Sequence, residues 1–262
     1  MTGADLALLV VAGFLGGLTG TIAGLASLFT YPALLATGLA PVAANVTNTV
    51  AMVSTAVGSA ATSRPELRGQ GRRVVVATCF AAVGGLGGAA LLLSTPASVF
   101  ELVVPFLVAF GSVLLLARDP LRRWADARAA RRPPGAVVRA SGVLGPGGAV
   151  SIVAIGVYGG YFGAGAGIMA LAVLSLLATE RLAVTNAVKN LVTGGANLAG
   201  AVVYALVADV DWLAVVVLAS GLVAGSACGP LVVRRVPQGL LRMVIAVAGI
   251  GLAVRLFLSA IA

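Results

Sequence analysis

The chain has 262 residues, 60% of them hydrophobic and 10% charged, with a formal net charge of +9 and a mean hydropathy of +1.10. Soluble domains carry about 25% charged residues, so a soluble globular protein is excluded, and long apolar runs without short alternating strands exclude a β-barrel. Histidine is absent, which removes Ser-His and Cys-His nucleophile pairs, His-ligated metals and haem with a His axial ligand; an enzyme is disfavoured, and no cofactor or metal is expected.

From the N-terminus onward, no Asp, Glu, Lys or Arg occurs between Asp5 and Arg64, between Arg73 and Glu101, or between Arg139 and Glu180. Each gap holds at least one bilayer crossing of about 20 apolar residues. The N-terminus lacks a basic n-region, so the first apolar segment is expected to stay in the mature chain. Charged and Pro-containing breaks divide the chain into segments near 5–38, 42–62, 74–94, 99–117, 148–178, 182–207, 212–233 and 239–260. Between the fourth and fifth runs the one long polar stretch, 118–147, with six Arg from Arg122 to Arg139 and the Pro133-Pro134-Gly135 breaker. This predicts an all-α polytopic membrane protein: repeat 1 at 1–117, a basic cytoplasmic linker at 118–147 and repeat 2 at 148–262. The arginines sit at segment ends and in the linker without interleaved aromatics, which fits positive-inside topology and anionic lipid rather than nucleic acid. Cys79 and Cys228 stand alone in apolar runs and read as packed residues.

The halves resemble each other. Residues 13–25 read GFLGGLTGTIAGL and 156–168 read GVYGGYFGAGAGI, so Gly16, Gly17, Gly20 and Gly24 match Gly159, Gly160, Gly163 and Gly167 at an offset of 143. Asn48 and Gly58 match Asn190 and Gly200 at 142, and Gly84 and Gly88 match Gly221 and Gly225 at 137. A duplicated unit is a common construction among secondary transporters.

The first segment of each half is too long for one span. A continuous helix of about 33 residues would rise roughly 50 Å, against a hydrocarbon core of about 30 Å. The glycines fall near the middle, where helix propensity is poorest. The expected elements are half-helix pairs, 5–18 with 24–38 and 148–161 with 167–178, each followed by three spans; Gly163, Gly165 and Gly167 are expected in non-helical backbone. The competing explanation is small-residue helix packing of the Gly-x-x-x-Gly kind.

Loop charges bear on topology. The loop after the second segment is basic in the first half (Arg64, Arg68, Arg72, Arg73) and acidic in the second (Asp209, Asp211); the next loop reads Ser94-Thr95-Pro96 in one and Arg234-Arg235 in the other. Opposite charge at equivalent loops favours inverted repeats, with Asp5, Glu101, Asp209 and Asp211 outside. Eight plain spans in parallel repeats are the alternative.

Asn186, Asn190, Thr193 and Asn197 recur at 4, 3 and 4 and share a helix face beside Lys189, the one lysine. Asn45, Asn48, Thr49, Met52, Thr55 and Ser59 form a weaker counterpart. Unpaired amides and an ammonium are costly in lipid, so both stripes should face protein or water, as interhelical glue or as a central site. Such a site suits anions: broken helices aim N–H groups at the midplane, Gly20, Gly24, Gly163, Gly165 and Gly167 allow close backbone approach, and Asn45, Asn48, Asn186, Asn190 and Asn197 add donors. No carboxylate lies well inside a segment to serve a cation pathway. Lys189 either joins the site or snorkels to the interface.

The paired glycine clusters, Pro32 followed by Gly38, and the stretch Asn186-Ala-Val-Lys189-Asn190 followed by Asn197 resemble the TauE/SafE family over about 6–258. The resemblance implies an inner-membrane permease of a bacterial cell, multi-pass, for sulfite, sulfonates or related small anions. It departs where Thr21-Ile22-Ala23, Ala164 and Ala166 interrupt the glycines. The predicted function is export of a small sulfur-containing anion through a midplane site between repeats, with anionic substrate and membrane lipid as partners and a homo-oligomer left open. A carboxylate permease and a non-transporting scaffold subunit are the alternatives.

Overall fold

The computed structural model describes residues 1–117, 144–177 and 181–232, with isolated positions within 120–127 and 250–258. Most of the linker, Arg234-Arg235 and most of the segment 239–260 lie outside the described residues. Within them the chain forms α1 (Gly3–Ala23), α2 (Ser27–Ala36), α3 (Pro41–Thr62), a single turn α4 (Arg64–Leu67), α5 (Gly71–Ser94), α6 (Ala97–Leu116), α7 (Pro146–Tyr161), α8 (Ala166–Leu177), α9 (Leu182–Val207) and α10 (Trp212–Val232), and no strand occurs among the described residues. Among the described residues, five helices are long and apolar enough to cross a membrane: α1, α5, α6, α9 and α10. Their outward faces carry Val75, Val83, Phe106, Val113, Leu206 and Val216, large apolar side chains that are exposed, as lipid requires and water would not tolerate.

The second half breaks where the glycine pattern places it, between Tyr161 and Ala166. The first half does not. α1 runs as one 21-residue helix through Gly16, Gly17 and Gly20 to Ala23, about 31 Å long, so the expected half-helix 5–18 is corrected to a nearly full span followed by the 10-residue α2. Two local causes sustain it. Thr2 and Asp5 form a reciprocal capping box at its start, and its glycines are held by a neighbour: a Cβ on Gly13 or Gly17 would collide with the carbonyl of Leu218 or Leu222 of α10. Gly167, expected in the break, lies in the first turn of α8. Cys79 is exposed rather than packed, on the same lipid-facing edge of α5 as Val75 and Val83.

Packing fixes the helix directions. α1 and α10 run parallel, since Val10 meets Gly221 and Phe14 meets Gly225. α7 and α5 also run parallel, with Val153 against Gly84 and Val157 against Gly88. α3 and α9 lie antiparallel: the Asp211 N–H donates to Thr47 Oγ1 (3.1 Å) while Asn190 Nδ2 donates to Ser59 Oγ (2.7 Å). Asp5, Asp209, Asp211 and Glu101 therefore gather at one end of the bundle, and Arg64, Arg68, Arg72 and Arg73 at the other.

Candidate anion site between two helix breaks

The two breaks meet at the centre of the bundle. Gly24 ends α1 in the left-handed region (φ 77°), and its N–H donates to the Gly20 carbonyl at 2.7 Å. The α7–α8 break turns at Gly163 and Gly165, with φ 82° and 84°. Gly24 and Gly167 touch back to back, so closely that a Cβ on Gly24 would stand 2.5 Å from Gly167 Cα. No other residue type lets two backbones approach like this.

Around that contact is a cavity of ≈ 40 Å³, counted as space for water centres. A water needs about 10–15 Å³ on this measure, so the space suits a few waters or one small ion. Gly20, Thr21, Gly24, Ala26 and Ser27 form its wall from the first break, and Gly159, Phe162, Gly163, Ala166 and Gly167 from the second. Asn48, Thr49, Met52 and Thr55 of α3 close one side, and Asn190, Thr193 and Asn197 of α9 the other. Among the described residues, none that lines the cavity is charged.

Acceptors and donors at this wall are used unequally. A helix C-terminus leaves its last four carbonyls without intrahelical partners, and here side-chain donors take two of them at each helix end, although the side-chain oxygens of Asn45 and Asn186 behind the wall have no donor among the described residues. The carbonyl of Thr21 receives Asn186 Nδ2 (3.0 Å), Lys189 Nζ (3.4 Å) and Asn190 Nδ2 (3.5 Å), and that of Gly20 receives Lys189 Nζ at 3.2 Å. On α7, Tyr204 Oη donates to the Gly160 carbonyl (2.5 Å) and Asn45 Nδ2 to that of Tyr161 (2.8 Å). The donors behave differently. The backbone N–H groups of Ser27 and Gly167, in the first turns of α2 and α8, take no acceptor among the described residues, and neither does the amide of Asn197, 9% exposed and lining the cavity. Asn48 is pinned by Thr30 Oγ1, which donates to its Oδ1 (2.5 Å), and by its own Nδ2 donating to Ser27 Oγ (3.3 Å), leaving one amide hydrogen over.

Of the residues singled out in the sequence, Gly20, Gly24, Asn48, Gly163, Gly167, Asn190 and Asn197 line the cavity. Asn45, Asn186 and Lys189 stand behind its wall and fasten helix ends. Gly165 faces α6 instead, where its Cβ would meet Gly111 Cα at 3.3 Å. Lys189 is 1% exposed and neither snorkels nor lines the cavity; its ammonium sits at the negative end of the α1 dipole. Asn190 lines the space but sends both amide hydrogens elsewhere, to Ser59 and Thr21. Ser27, Thr21 and Phe162 were not among the candidates. Their signal was position, since each flanks a glycine break.

No curated protein and no solved structure matches the chain. A family model does: the one described as "Sulfite exporter TauE/SafE" matches residues 6–256, nearly the whole sequence, and takes in both helix breaks and both polar stripes. The chain belongs to the TauE/SafE sulfite exporter family, whose members are membrane transporters rather than enzymes.

Proposed function

We propose that this chain carries a small sulfur oxyanion, of the sulfite or sulfonate class, out across the bacterial inner membrane, as a multi-pass secondary transporter or facilitator whose binding site is the cavity between the helix breaks. The observation that carries this reading is the imbalance of hydrogen-bonding groups. Two carbonyls at each helix C-terminus are occupied by side-chain donors, while the N–H groups of Ser27 and Gly167 and the amide of Asn197, which line the cavity, are unspent among the described residues. Helix N-termini with free N–H groups favour anions, and no carboxylate among the described residues lines the cavity to oppose one. The cavity's size favours an ion as small as sulfite over a longer sulfonate.

Pairwise packing supports two repeats. Under the offsets of 143 for the broken helices and 137 for α5 and α10, the Gly17–Leu222 approach becomes Gly160–Gly85, and Gly88–Val157 becomes Gly225–Phe14; all four are close contacts. Gly24 and Gly167, equivalent to each other, touch each other, as residues on a two-fold axis do. The antiparallel course of the equivalent helices α3 and α9 supports inversion, with the axis in the membrane plane. The positive-inside rule then puts the arginine end in the cytoplasm. An interior-negative potential supplies about 2.3 kcal/mol per charge per 100 mV toward efflux, so export needs no coupling ion.

Purified protein in liposomes loaded with sulfite tests this. Potential-driven sulfite efflux above that of empty liposomes is the expected result. Efflux of acetate with none of sulfite would make it a carboxylate carrier, and no flux of either would leave the scaffold reading.

A further inference from the structure

The walls of the cavity differ at its two ends. Toward the arginine end stand the polar lining residues Thr21 and Asn190, whose amide donates to the Thr21 carbonyl and, behind the wall, to Ser59 Oγ. Toward the acidic end stand rings. Phe162, 1% exposed and lining the cavity, packs edge-on against Tyr31 at 5.3 Å and Phe100 at 6.3 Å between centroids, and Phe100 packs on Tyr161 at 5.8 Å. The repeat partners of Phe162, Tyr161 and Tyr31 are Thr19, Leu18 and Leu174, so the aromatic wall belongs to one end alone.

One atom in that wall does not fit a static plug. Tyr31 is 1% exposed, and its hydroxyl has no hydrogen-bond partner among the described residues. A phenylalanine would fill the same space without burying an unpaired polar group, which is costly in a dry interior. The Tyr31 ring lies one ring behind Phe162, which lines the cavity. Phe162 itself sits on the helix break, directly before Gly163 at φ 82°, where a small backbone rotation would swing its ring.

Resting on the transport reading above, we propose that Phe162, backed by Phe100, is the outer gate of the cavity, and that Tyr31 is a further ligand of the anion, donating its hydroxyl once the Phe162 ring has moved aside. The structure is the state with this gate shut. Glu101 follows Phe100 in the second turn of α6 and is exposed, so this end of the cavity carries a negative charge.

Two arms of one experiment test this. Tyr31→Phe removes only an oxygen bonded to nothing, so a structural role predicts an unchanged or raised melting temperature and unchanged sulfite efflux from liposomes. The proposal predicts the same melting temperature with efflux reduced about ten-fold or more, the scale of a lost hydrogen bond to a charged group; efflux equal to the parent's overturns Tyr31 as a ligand. The second arm needs no anion. In a Cys79→Ala, Cys228→Ala background, Thr49→Cys reports on the cavity through an impermeant maleimide added to intact cells. Labelling should be slow with Phe162 present and faster by about ten-fold or more, equivalent to about 1.4 kcal/mol off the barrier to access, with Phe162→Ala, or with Phe162→Leu if the alanine variant expresses poorly. A rate indifferent to residue 162, or fast labelling of the parent, overturns the gate. A parent that moves no sulfite overturns the transport reading and Tyr31's part with it, while the labelling arm still decides the gate.

Discussion

Gly24→Ala tests the contact on which the site is built. The added methyl would stand 2.5 Å from Gly167 Cα and 2.6 Å from its carbonyl carbon, where ordinary contact begins at 3.4 Å. Both obstacles are backbone, so no rotamer relieves them, and overpacking of this kind costs about 1–3 kcal/mol. The left-handed φ of 77° adds about 1–2 kcal/mol for an L side chain. Gly38→Ala is the control: its φ is 90° and nothing lies within 4 Å of its Cβ, so it carries the strain without the collision. Gly167→Ala carries the collision without the strain and regains about 1 kcal/mol of helix propensity. At about 2–4 °C per kcal/mol for a chain of this size, the melting temperature should fall by about 4–20 °C for Gly24→Ala and about 2–8 °C for Gly38→Ala. Fluorescence-detected size-exclusion after heating measures the order. If Gly24→Ala melts no lower than Gly38→Ala, the two breaks do not touch and the cavity has a different wall.

Further outcomes follow from the same geometry. Asn197→Leu removes an unspent donor and should cost about 1–3 kcal/mol in sulfite binding, a roughly 5- to 150-fold loss of affinity, whereas Asn190→Leu should mainly lower the melting temperature because its hydrogens hold Ser59 and Thr21; equal affinity losses would show that Asn190 also reaches the anion. Lys189→Gln should lower the melting temperature by about 2–8 °C through the weakened end of α1, and sulfite affinity should keep its dependence on ionic strength because the ammonium is buried; a changed salt dependence would place the charge in an aqueous vestibule. Asp209→Cys should react with impermeant maleimide on intact cells and Arg68→Cys only after permeabilisation; reaction of both on intact cells would refute the opposed ends.

Spans set by apolar length were legible in the sequence: α9 begins and ends where the segment 182–207 does, and α5 and α6 lie within three residues of theirs. The second helix break was also legible, because Gly163 and Gly165 take positive φ in a run whose length demanded an interruption. The first was misplaced for a physical reason. A glycine that turns the chain and a glycine that lets another helix approach read alike, and Gly16, Gly17 and Gly20 are of the second kind, distinguishable only once α10 and α2 are in place. The polar stripe of α9 obeyed its helical period, yet period says nothing about what the face meets. Asn186 and Lys189 meet the end of α1, and within this stripe Asn197 alone lines the cavity with an amide that has no partner among the described residues. Tyr31 and Phe162 carried no periodic or charge signal, since their arrangement joins α2 to the α7–α8 break, 131 residues apart in sequence.

The most direct measurement is a structure of the protein with selenite, a heavier analogue of sulfite whose selenium scatters anomalously. The account predicts one anomalous peak in the cavity beside the Gly24–Gly167 contact, with the selenite oxygens around it within hydrogen-bonding distance of the Ser27 or Gly167 N–H and of the Asn197 amide, and the peak lost in Asn197→Leu. Selenium bound only at the surface arginines, or an empty cavity at saturating selenite, would contradict it.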